Sequence, residues 1–120
     1  MCEVIMDNSV IKRSADARYT DEYGCTFRRL LPWNNTGSSD EGMAIAQIQP
    51  QTQTSPHSHD QVEYFYIING KGTLFLDDTP IDVVEGDVIQ SLPNTYHTIK
   101  NTSENEELKV MCIWRLNEGS

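Results

Sequence analysis

Two histidines one residue apart, His57 and His59, lie in the stretch SPHSHDQVEYFYIING (55–70) of a chain that has only three histidines in 120 residues. Glu63 follows four residues after His59, and the third histidine, His97, comes after the turn-like sequence LPNTY. In an extended segment residues i and i+2 project from the same face, so His57 and His59 can direct both imidazoles to one point, with Glu63 on the same parity. Three imidazole nitrogens and one carboxylate suit a divalent transition metal such as iron, manganese, nickel, copper or zinc. An octahedral metal with four protein ligands would keep two positions open.

Each of these residues also has a structural interpretation without a metal. The histidine pair, next to Asp60 and Gln61, could belong to a solvated loop, and His97 could be a hydrogen-bonded core histidine. Glu63 is harder to explain, because it adjoins an apolar run and a carboxylate that faces a core without a partner is costly. The combination of the four residues favours the metal site.

The segments that must position these residues have the composition of short strands separated by turn formers. They are CTFRRLL (25–31), GMAIAQIQ (42–49), VEYFYIING (62–70), GTLFLDD (72–78), PIDVVEG (80–86), DVIQSLP (87–93), YHTIKN (96–101) and ELKVMCIWRL (107–116). Because only Lys71 separates the third segment from the fourth, we expect these two to form a hairpin. Roughly eight strands and no helix-period segment predict an all-β antiparallel sandwich or barrel.

Composition and charge limit the class of protein. The length and an apolar content of 38% favour one domain over residues 1–120. The formal charge of −9 disfavours nucleic acid and anionic membrane surfaces as partners. We find no targeting signal and no apolar run of membrane-spanning length. Three cysteines without CxxC spacing suggest neither a disulfide framework nor a four-thiolate zinc site, so a reducing cytoplasm is the expected location.

The two segments that carry the candidate ligands resemble the two sequence motifs of the cupin family, one motif each. The residues that match the first motif, HxH, three or four residues, Glu, six residues and Gly, are His57, His59, Glu63 and Gly70. The residues that fall on the second motif are Gly86, Asn94, His97 and Asn101. The resemblance is to small single-domain bacterial cupins and covers roughly residues 42–116.

Three positions depart from the motifs. Gln51 stands where the first motif opens with glycine, and in the second motif Leu92 replaces proline and Asn94 replaces glycine. Asparagine tolerates a left-handed backbone better than most residues, and Pro93 can still stiffen the turn, so we expect the turn to survive. None of the departures affects a candidate ligand.

The resemblance implies a double-stranded β-helix, or jelly-roll, barrel. Its core would be 42–116, preceded by N-terminal strands and a loop in 1–41. It also implies one divalent metal per chain on His57, His59, Glu63 and His97, and a small-molecule substrate. Cupins with a similar ligand set are dioxygenases, decarboxylases and isomerases of small acids, and the resemblance implies an activity of this kind.

The reaction itself stays open between several classes. Few titratable side chains are predicted in the cavity besides the ligands, so a dioxygenase-type oxidoreductase with Fe(II) is favoured over epimerisation, which would need a base. A metal-dependent isomerase or decarboxylase stays an alternative. The alternative is a non-catalytic module in which the metal stabilises the barrel or senses a small molecule. The chain has no DNA-binding helix pair, which argues against a self-contained regulator.

Strand parity assigns the neighbours of the ligands to two faces. Phe65 and Ile67 share the parity of Glu63 and should wall the cavity, whereas Tyr64, Tyr66 and Ile68 should lie on the outer face. An exposed aromatic pair is typically covered. We therefore expect a homodimer in which the second subunit covers either the tyrosine face or the N-terminal stretch VIMDNSVIKR (4–13).

Two further groups of residues have structural and functional interpretations. Cys112 is expected to be a small buried residue of the last strand, and a role as ligand or nucleophile is the minor alternative. Arg28 and Arg29 are adjacent, so one of them must point inward if CTFRRLL is a strand. An inward arginine could hold a substrate carboxylate, although a salt bridge at an edge strand is the favoured explanation.

Overall fold

Nine β-strands and one 3-10 turn, Ser14–Asp16, form the regular structure of residues 10–33 and 40–116, the part of the chain that the computed structural model describes. The strands are β1 (Thr20–Glu22), β2 (Cys25–Leu31), β3 (Glu41–Ile48), β4 (Gln61–Asn69), β5 (Lys71–Leu76), β6 (Thr79–Val84), β7 (Val88–Ser91), β8 (His97–Asn101) and β9 (Leu108–Leu116). Within these ranges no helix is long and apolar enough to cross a membrane. The predicted all-β class is confirmed.

The strands form two antiparallel sheets that pack as a jelly-roll barrel. The larger sheet has the order β1-β2-β3-β9-β4-β7, and the smaller one the order β6-β5-β8. Alternate residues of both sheets meet in one core: Phe65 and Val110 come from the larger sheet, and Leu74, Val83 and Ile99 from the smaller one. The predicted barrel is confirmed.

The predicted hairpin between the segments 62–70 and 72–78 is wrong. β4 pairs with β7 and β9, whereas β5 pairs with β6 and β8, so the two strands belong to different sheets. Gly70 is the corner, with a φ of 95°. A Cβ atom there would lie 2.9 Å from the carbonyl oxygen of Glu107. Glycine at this corner lets the chain pass from one sheet to the other instead of folding back on itself.

Residues before the predicted barrel core take part in the larger sheet. β1 was not among the predicted strands; it pairs with β2, and the turn between them contains Tyr23 and Gly24, which have φ values of 53° and 77°. β2 pairs with β3, and its Phe27 is only 9% exposed. Of the N-terminal stretch 4–13, which was expected to meet a second subunit, residues 4–9 lie outside the described residues.

Both positions where the chain departs from a motif glycine have a left-handed backbone. Asn94 has a φ of 65°, as expected for a residue that tolerates this conformation, and its amide donates to the His59 carbonyl at 2.6 Å. Gln51 has a φ of 62°. Its side-chain amide donates to the carbonyls of Thr102 and Ser103, at 3.2 and 3.0 Å, and these bonds offset the cost of a side chain at such a position.

Candidate metal centre

The segment that carries the histidine pair runs beside β8 without forming a regular strand. Thr54 donates its amide to the Ile99 carbonyl at 2.9 Å, and His57 and His97 exchange two backbone hydrogen bonds of 3.3 and 3.0 Å. His57 thus occupies a single bridge, and His59 lies in the loop that follows. The premise of one continuous strand through both histidines is wrong, because backbone bonding to β8 ends at His57 and the His59 carbonyl accepts from the Asn94 amide instead.

The other two candidate ligands come from regular strands of opposite sheets. His97 is the first residue of β8 in the smaller sheet, and Glu63 lies in β4 of the larger sheet, between Ser91 of β7 and Trp114 of β9. Both side chains are buried, at 3% and 5% exposure. Packing of one sheet on the other therefore brings the four predicted site residues together.

Four potential metal-binding atoms converge at the meeting point of these elements. The ligand atoms of His57, His59, Glu63 and His97 all lie within 4.8 Å of one another. The Nε2 atoms of His59 and His97 are 2.8 and 3.3 Å from Oε1 of Glu63. The Nε2 atoms of His57 and His97 are 3.0 Å apart. The group could bind a metal ion.

Backbone carbonyls orient two of the imidazoles toward this centre. Nδ1 of His57 lies 3.1 Å from the carbonyl oxygen of Ser55, and Nδ1 of His59 lies 3.1 Å from that of Gln61. A carbonyl only accepts hydrogen bonds, so each Nδ1 carries a proton and each Nε2 faces the centre. Nε2 of His59 can offer its lone pair to a metal ion once it gives up the proton that it shares with Glu63. Such outer hydrogen bonds commonly fix the tautomer of histidines that bind metal ions.

The nitrogen and oxygen atoms of the four candidate ligands do not all find hydrogen-bond partners within the protein. If His97 donates Nε2–H to His57, its buried Nδ1 is left as an acceptor, and that atom makes no hydrogen bond of good geometry although the Thr95 backbone lies nearby. If the proton is on Nδ1, two Nε2 lone pairs face each other at 3.0 Å. A divalent cation would resolve this conflict and would compensate the buried Glu63 carboxylate. The residues therefore fit a metal ion.

Burial and the nearby carboxylate shift two of the histidines in opposite directions. Burial lowers the pKa of His97 to about 4, so that its imidazole is neutral, which is the form that binds metal ions. The hydrogen bond that the protonated imidazole of His59 donates to the Glu63 carboxylate raises the pKa of His59, against the smaller effect of burial. A bound cation would compete with the proton on His59 for the same Nε2 lone pair.

The centre opens on one side into a cavity of about 150 Å³. The cavity is lined by the candidate ligands His57, His59 and Glu63 together with Tyr23, Phe27, Arg29, Gln61 and Trp114. Phe65 and Ile67, which were expected to wall it, are instead buried in the core, since the sheet-to-sheet packing takes up that face. Phe65 contacts the other side of His97, with ring centroids 5.3 Å apart.

Tyr23 and Phe27 were not assigned to this cavity from the sequence, and which of two adjacent arginines faces it was left open. Tyr23 stacks on His57 with ring centroids 4.4 Å apart and 18° between the planes. Arg29, not Arg28, is the arginine that reaches the site, and it also forms the edge-strand salt bridge, with Glu22 of β1. The parity of Cys25 and Phe27 in β2 could have selected Arg29, but only if β2 was known to pack against the site.

Cys112 is a core residue, as predicted. It is 3% exposed and packs with Phe65 and Val110, and burial raises the pKa of its thiol well above the usual value. In the described residues the cluster of possible metal ligands includes no cysteine. A thiol held protonated in an apolar core is inert.

Comparison with known families places a Cupin domain model on residues 44–114. A curated relative, the uncharacterised protein MJ1618 of Methanocaldococcus jannaschii, is 33% identical over 95 residues, which are 78% of this chain and 75% of the relative. The range matched by the family model, 44–114, contains all four residues of the candidate metal centre.

Solved structures with similar folds agree with the barrel. The plu4264 protein of Photorhabdus luminescens is 28% identical, with a TM-score of 0.76 over 91% of this chain and 88% of that chain. A predicted oxalate decarboxylase of Thermotoga maritima, tm1287, has a TM-score of 0.78 over 90% of this chain and 100% of that chain, at 19% identity. At this identity the second likeness concerns the fold alone.

Proposed function

The chain belongs to the cupin family, and from this premise we propose that it is a metal-dependent enzyme of the dioxygenase type that acts on a small organic substrate. One divalent ion per chain would be held by His57, His59, Glu63 and His97. Fe(II) is the favoured ion, and zinc, manganese, nickel and copper suit the same donors.

The observation that carries the proposal is the open side of the metal centre. His97 is closed in by the core, but His57, His59 and Glu63 line the cavity, and the side chain of His59 is 25% exposed. A metal site that serves only stability is usually closed by protein ligands, whereas a catalytic site keeps a side open for water or substrate. The aromatic walls of the cavity suit an organic molecule.

The side chains around the cavity favour oxidation over reactions that need a separate base. Apart from the candidate ligands, the lining residues are three aromatics, Gln61 and Arg29, and none of them carries a carboxylate or a free imidazole. Tyr23, Phe27 and Trp114 would hold an apolar substrate and exclude water. Fe(II) held by these residues would bind and activate dioxygen, and the substrate would supply the electrons that reduce it.

Metal replacement tests the proposal. The protein is first reconstituted with Fe(II) without oxygen and then transferred to aerated buffer. We expect it to consume oxygen when one member of a panel of small carboxylic acids, phenols and thiols is added. The zinc-loaded protein should not, since zinc has no redox chemistry. The measurement is oxygen uptake with an electrode, normalised to metal content from elemental analysis.

Two results together would overturn the proposal. The protein would be purified with zinc bound, and its Fe(II) form would bind small molecules without any substrate-dependent consumption of oxygen. The function would then be that of a binding or sensing module. Uptake that occurs equally with free Fe(II) and no protein serves as the background to subtract.

We also propose that the chain forms a homodimer through the outer face of the larger sheet. Side chains of four adjacent strands form two apolar rows on this face, with members paired across the strands. The rows are Ile45, Met111, Tyr66 and Val88, and beside them Met43, Ile113 and Tyr64. Tyr66 and Val88 are 45% and 64% exposed. A face of this extent is typical of an interaction surface.

Charge introduced in the middle of this face should separate the subunits. We expect light scattering of the wild type at micromolar concentration to give the mass of a dimer, and Tyr66→Lys to give that of a monomer, since an ammonium group would be buried unpaired. Tyr96→Lys is the control, because Tyr96 is similarly exposed, at 58%, but lies outside the two rows. A monomeric wild type would contradict the proposal.

A further inference from the structure

An arginine in a defined orientation lies at the mouth of the cavity. Arg29 in β2 donates from Nε and Nη2 to the two carboxylate oxygens of Glu22, with the Nε bond at 3.2 Å. Its Cζ lies 5.7 Å from the ring centroid of Phe27 and 5.9 Å from that of Trp114. An ion pair on one edge and two rings beside the guanidinium fix its position, although the side chain is 46% exposed.

The Trp114 ring can take its place in this arrangement because residue 42 is glycine. Gly42 of β3 pairs with Trp114 of β9, and a Cβ atom on Gly42 would lie 2.2 Å from the indole ring. The indole therefore lies directly on the backbone of β3, where it forms both a wall of the cavity and a neighbour of Arg29.

The pairing with Glu22 and a side-chain hydrogen bond with Tyr23 still leave donors on Arg29 for a ligand. A guanidinium has five N–H groups in a planar fork. Glu22 takes the edge formed by Nε and Nη2, and the edge formed by Nη1 and Nη2 has the geometry that binds a second carboxylate through two parallel hydrogen bonds.

Arg29 and three of the candidate ligands line the same cavity. Tyr23 lies beside Arg29 and stacks on His57 at 4.4 Å, so one phenol ring separates the guanidinium from a candidate metal ligand. A cavity of about 150 Å³ accommodates a molecule of roughly the size of benzene. A ligand of that size reaches from Arg29 to the centre.

A second observation points independently to an anionic ligand. A cleft of about 570 Å³ adjoins the cavity, and Arg29 lines both. The basic residues of this cleft are Lys12, Arg13, Arg18, Arg28 and Arg29, which are five of the nine in the chain, with Asp16 as the acidic residue among the lining. In a chain with a charge of −9 this local excess of positive charge attracts anions to the mouth of the cavity.

From these observations we propose that the substrate is a small organic carboxylate, bound with its carboxylate on Arg29 and the rest of the molecule between the aromatic walls, toward the metal centre. This inference rests on the proposed function. The neighbouring Glu22 neutralises much of the charge of Arg29, which favours a monoanion over a phosphate dianion. The aromatic walls favour an organic anion over an inorganic one.

Binding of benzoate, with benzamide as its neutral analogue, tests the inference without any turnover. We expect the metal-loaded protein to bind benzoate at least about tenfold more tightly than benzamide in an NMR titration, as a hydrogen-bonded charge pair at a partly exposed site should provide. Arg29→Gln should abolish this difference, and Arg29→Lys should retain part of it. Arg115→Gln makes the same change of charge on the outer face of β9, where the side chain donates to the Tyr64 hydroxyl, and should leave the preference intact because Arg115 lines neither the cavity nor the cleft.

Three results would overturn the inference: equal affinities of wild type for benzoate and benzamide, equal losses in Arg115→Gln and Arg29→Gln, or tighter binding of inorganic phosphate than of benzoate. The wild-type comparison needs no variant to fold. Metal content, measured on the same samples, reports separately on the proposed function, since a protein that holds metal but shows no preference for benzoate refutes only the carboxylate subsite.

Discussion

Replacing His97 with alanine should lower the affinity of the protein for divalent metal by more than about 100-fold, since even the loss of an outer hydrogen-bond partner of a ligand costs 10- to 100-fold. His97 is 3% exposed, and its Nε2 atom lies 3.0 Å from that of His57 and 3.3 Å from Oε1 of Glu63. No solvent ligand can easily replace it from the closed side of the site. The measurement is metal content after dialysis together with the melting temperature with and without added metal.

The melting temperature separates loss of metal from loss of packing. At a metal concentration 100 times the Kd, binding stabilises the wild type by about 2.7 kcal/mol, and His97→Ala should lose this increment whatever its own metal-free stability. Thr98→Ala is the matched control, because Thr98 is the next residue of β8 and is 8% exposed but offers no atom to the cluster. A His97→Ala protein that keeps full metal content and the full increase in melting temperature would exclude His97 as a ligand.

The four residues of the candidate centre could be predicted from the sequence because their spacing is local. His57, His59 and Glu63 lie within seven residues, and the second motif links His97 to Asn101, whose side chain donates to the Ile48 carbonyl at 2.8 Å and so anchors the end of β8. The prediction that these four residues lie together does not require a strand that carries both His57 and His59. Backbone bonding to β8 at His57 and to Asn94 at His59 positions the loop instead.

The wall of the cavity opposite the ligands could not be predicted in the same way. Tyr23 lies in a turn between two strands and has a φ of 53°, a conformation that sequence preferences assign to asparagine or glycine rather than to an aromatic residue. Its stacking on His57, 34 positions later, offsets this cost and leaves no local signal. Arg29 depends in the same way on Glu22, a residue of a strand too short to recognise.

The error at the β4–β5 corner has a related cause. Two apolar strands separated by Asn69-Gly70 and Lys71 have the local signature of a hairpin. What decides the outcome is nonlocal, because β4 finds β9 along most of its length and β5 finds β8. Gly70 serves here as a corner between sheets, and local sequence does not distinguish the two uses of a turn glycine.

Gly72 provides the sharpest test of that corner, and Gly72→Ala should destabilise the protein by about 3 kcal/mol, the upper end of the cost of overpacking. For a chain of this size we expect a fall in melting temperature of about 10 °C. Gly72 is buried in β5 opposite Asn101, and a Cβ atom there would lie 2.3 Å from the Lys100 carbonyl oxygen and 2.9 Å from a methyl group of Leu108. The carbonyl oxygen belongs to the backbone of β8, so the clash cannot be relieved by a side-chain rotation.

The same substitution should weaken metal binding, because the β5–β8 pairing that it disturbs ends at Leu76 and His97. Gly86→Ala is the control: Gly86 has a φ of 94°, but a Cβ atom there would meet nothing within 4 Å. Strain alone should cost Gly86→Ala roughly 1 to 2 kcal/mol, with metal affinity unchanged, since its turn lies away from β8. A melting temperature of Gly72→Ala no lower than that of Gly86→Ala would contradict the close packing of β8 against β5. The position of His97 would then have to rest on its backbone bonds to His57 alone.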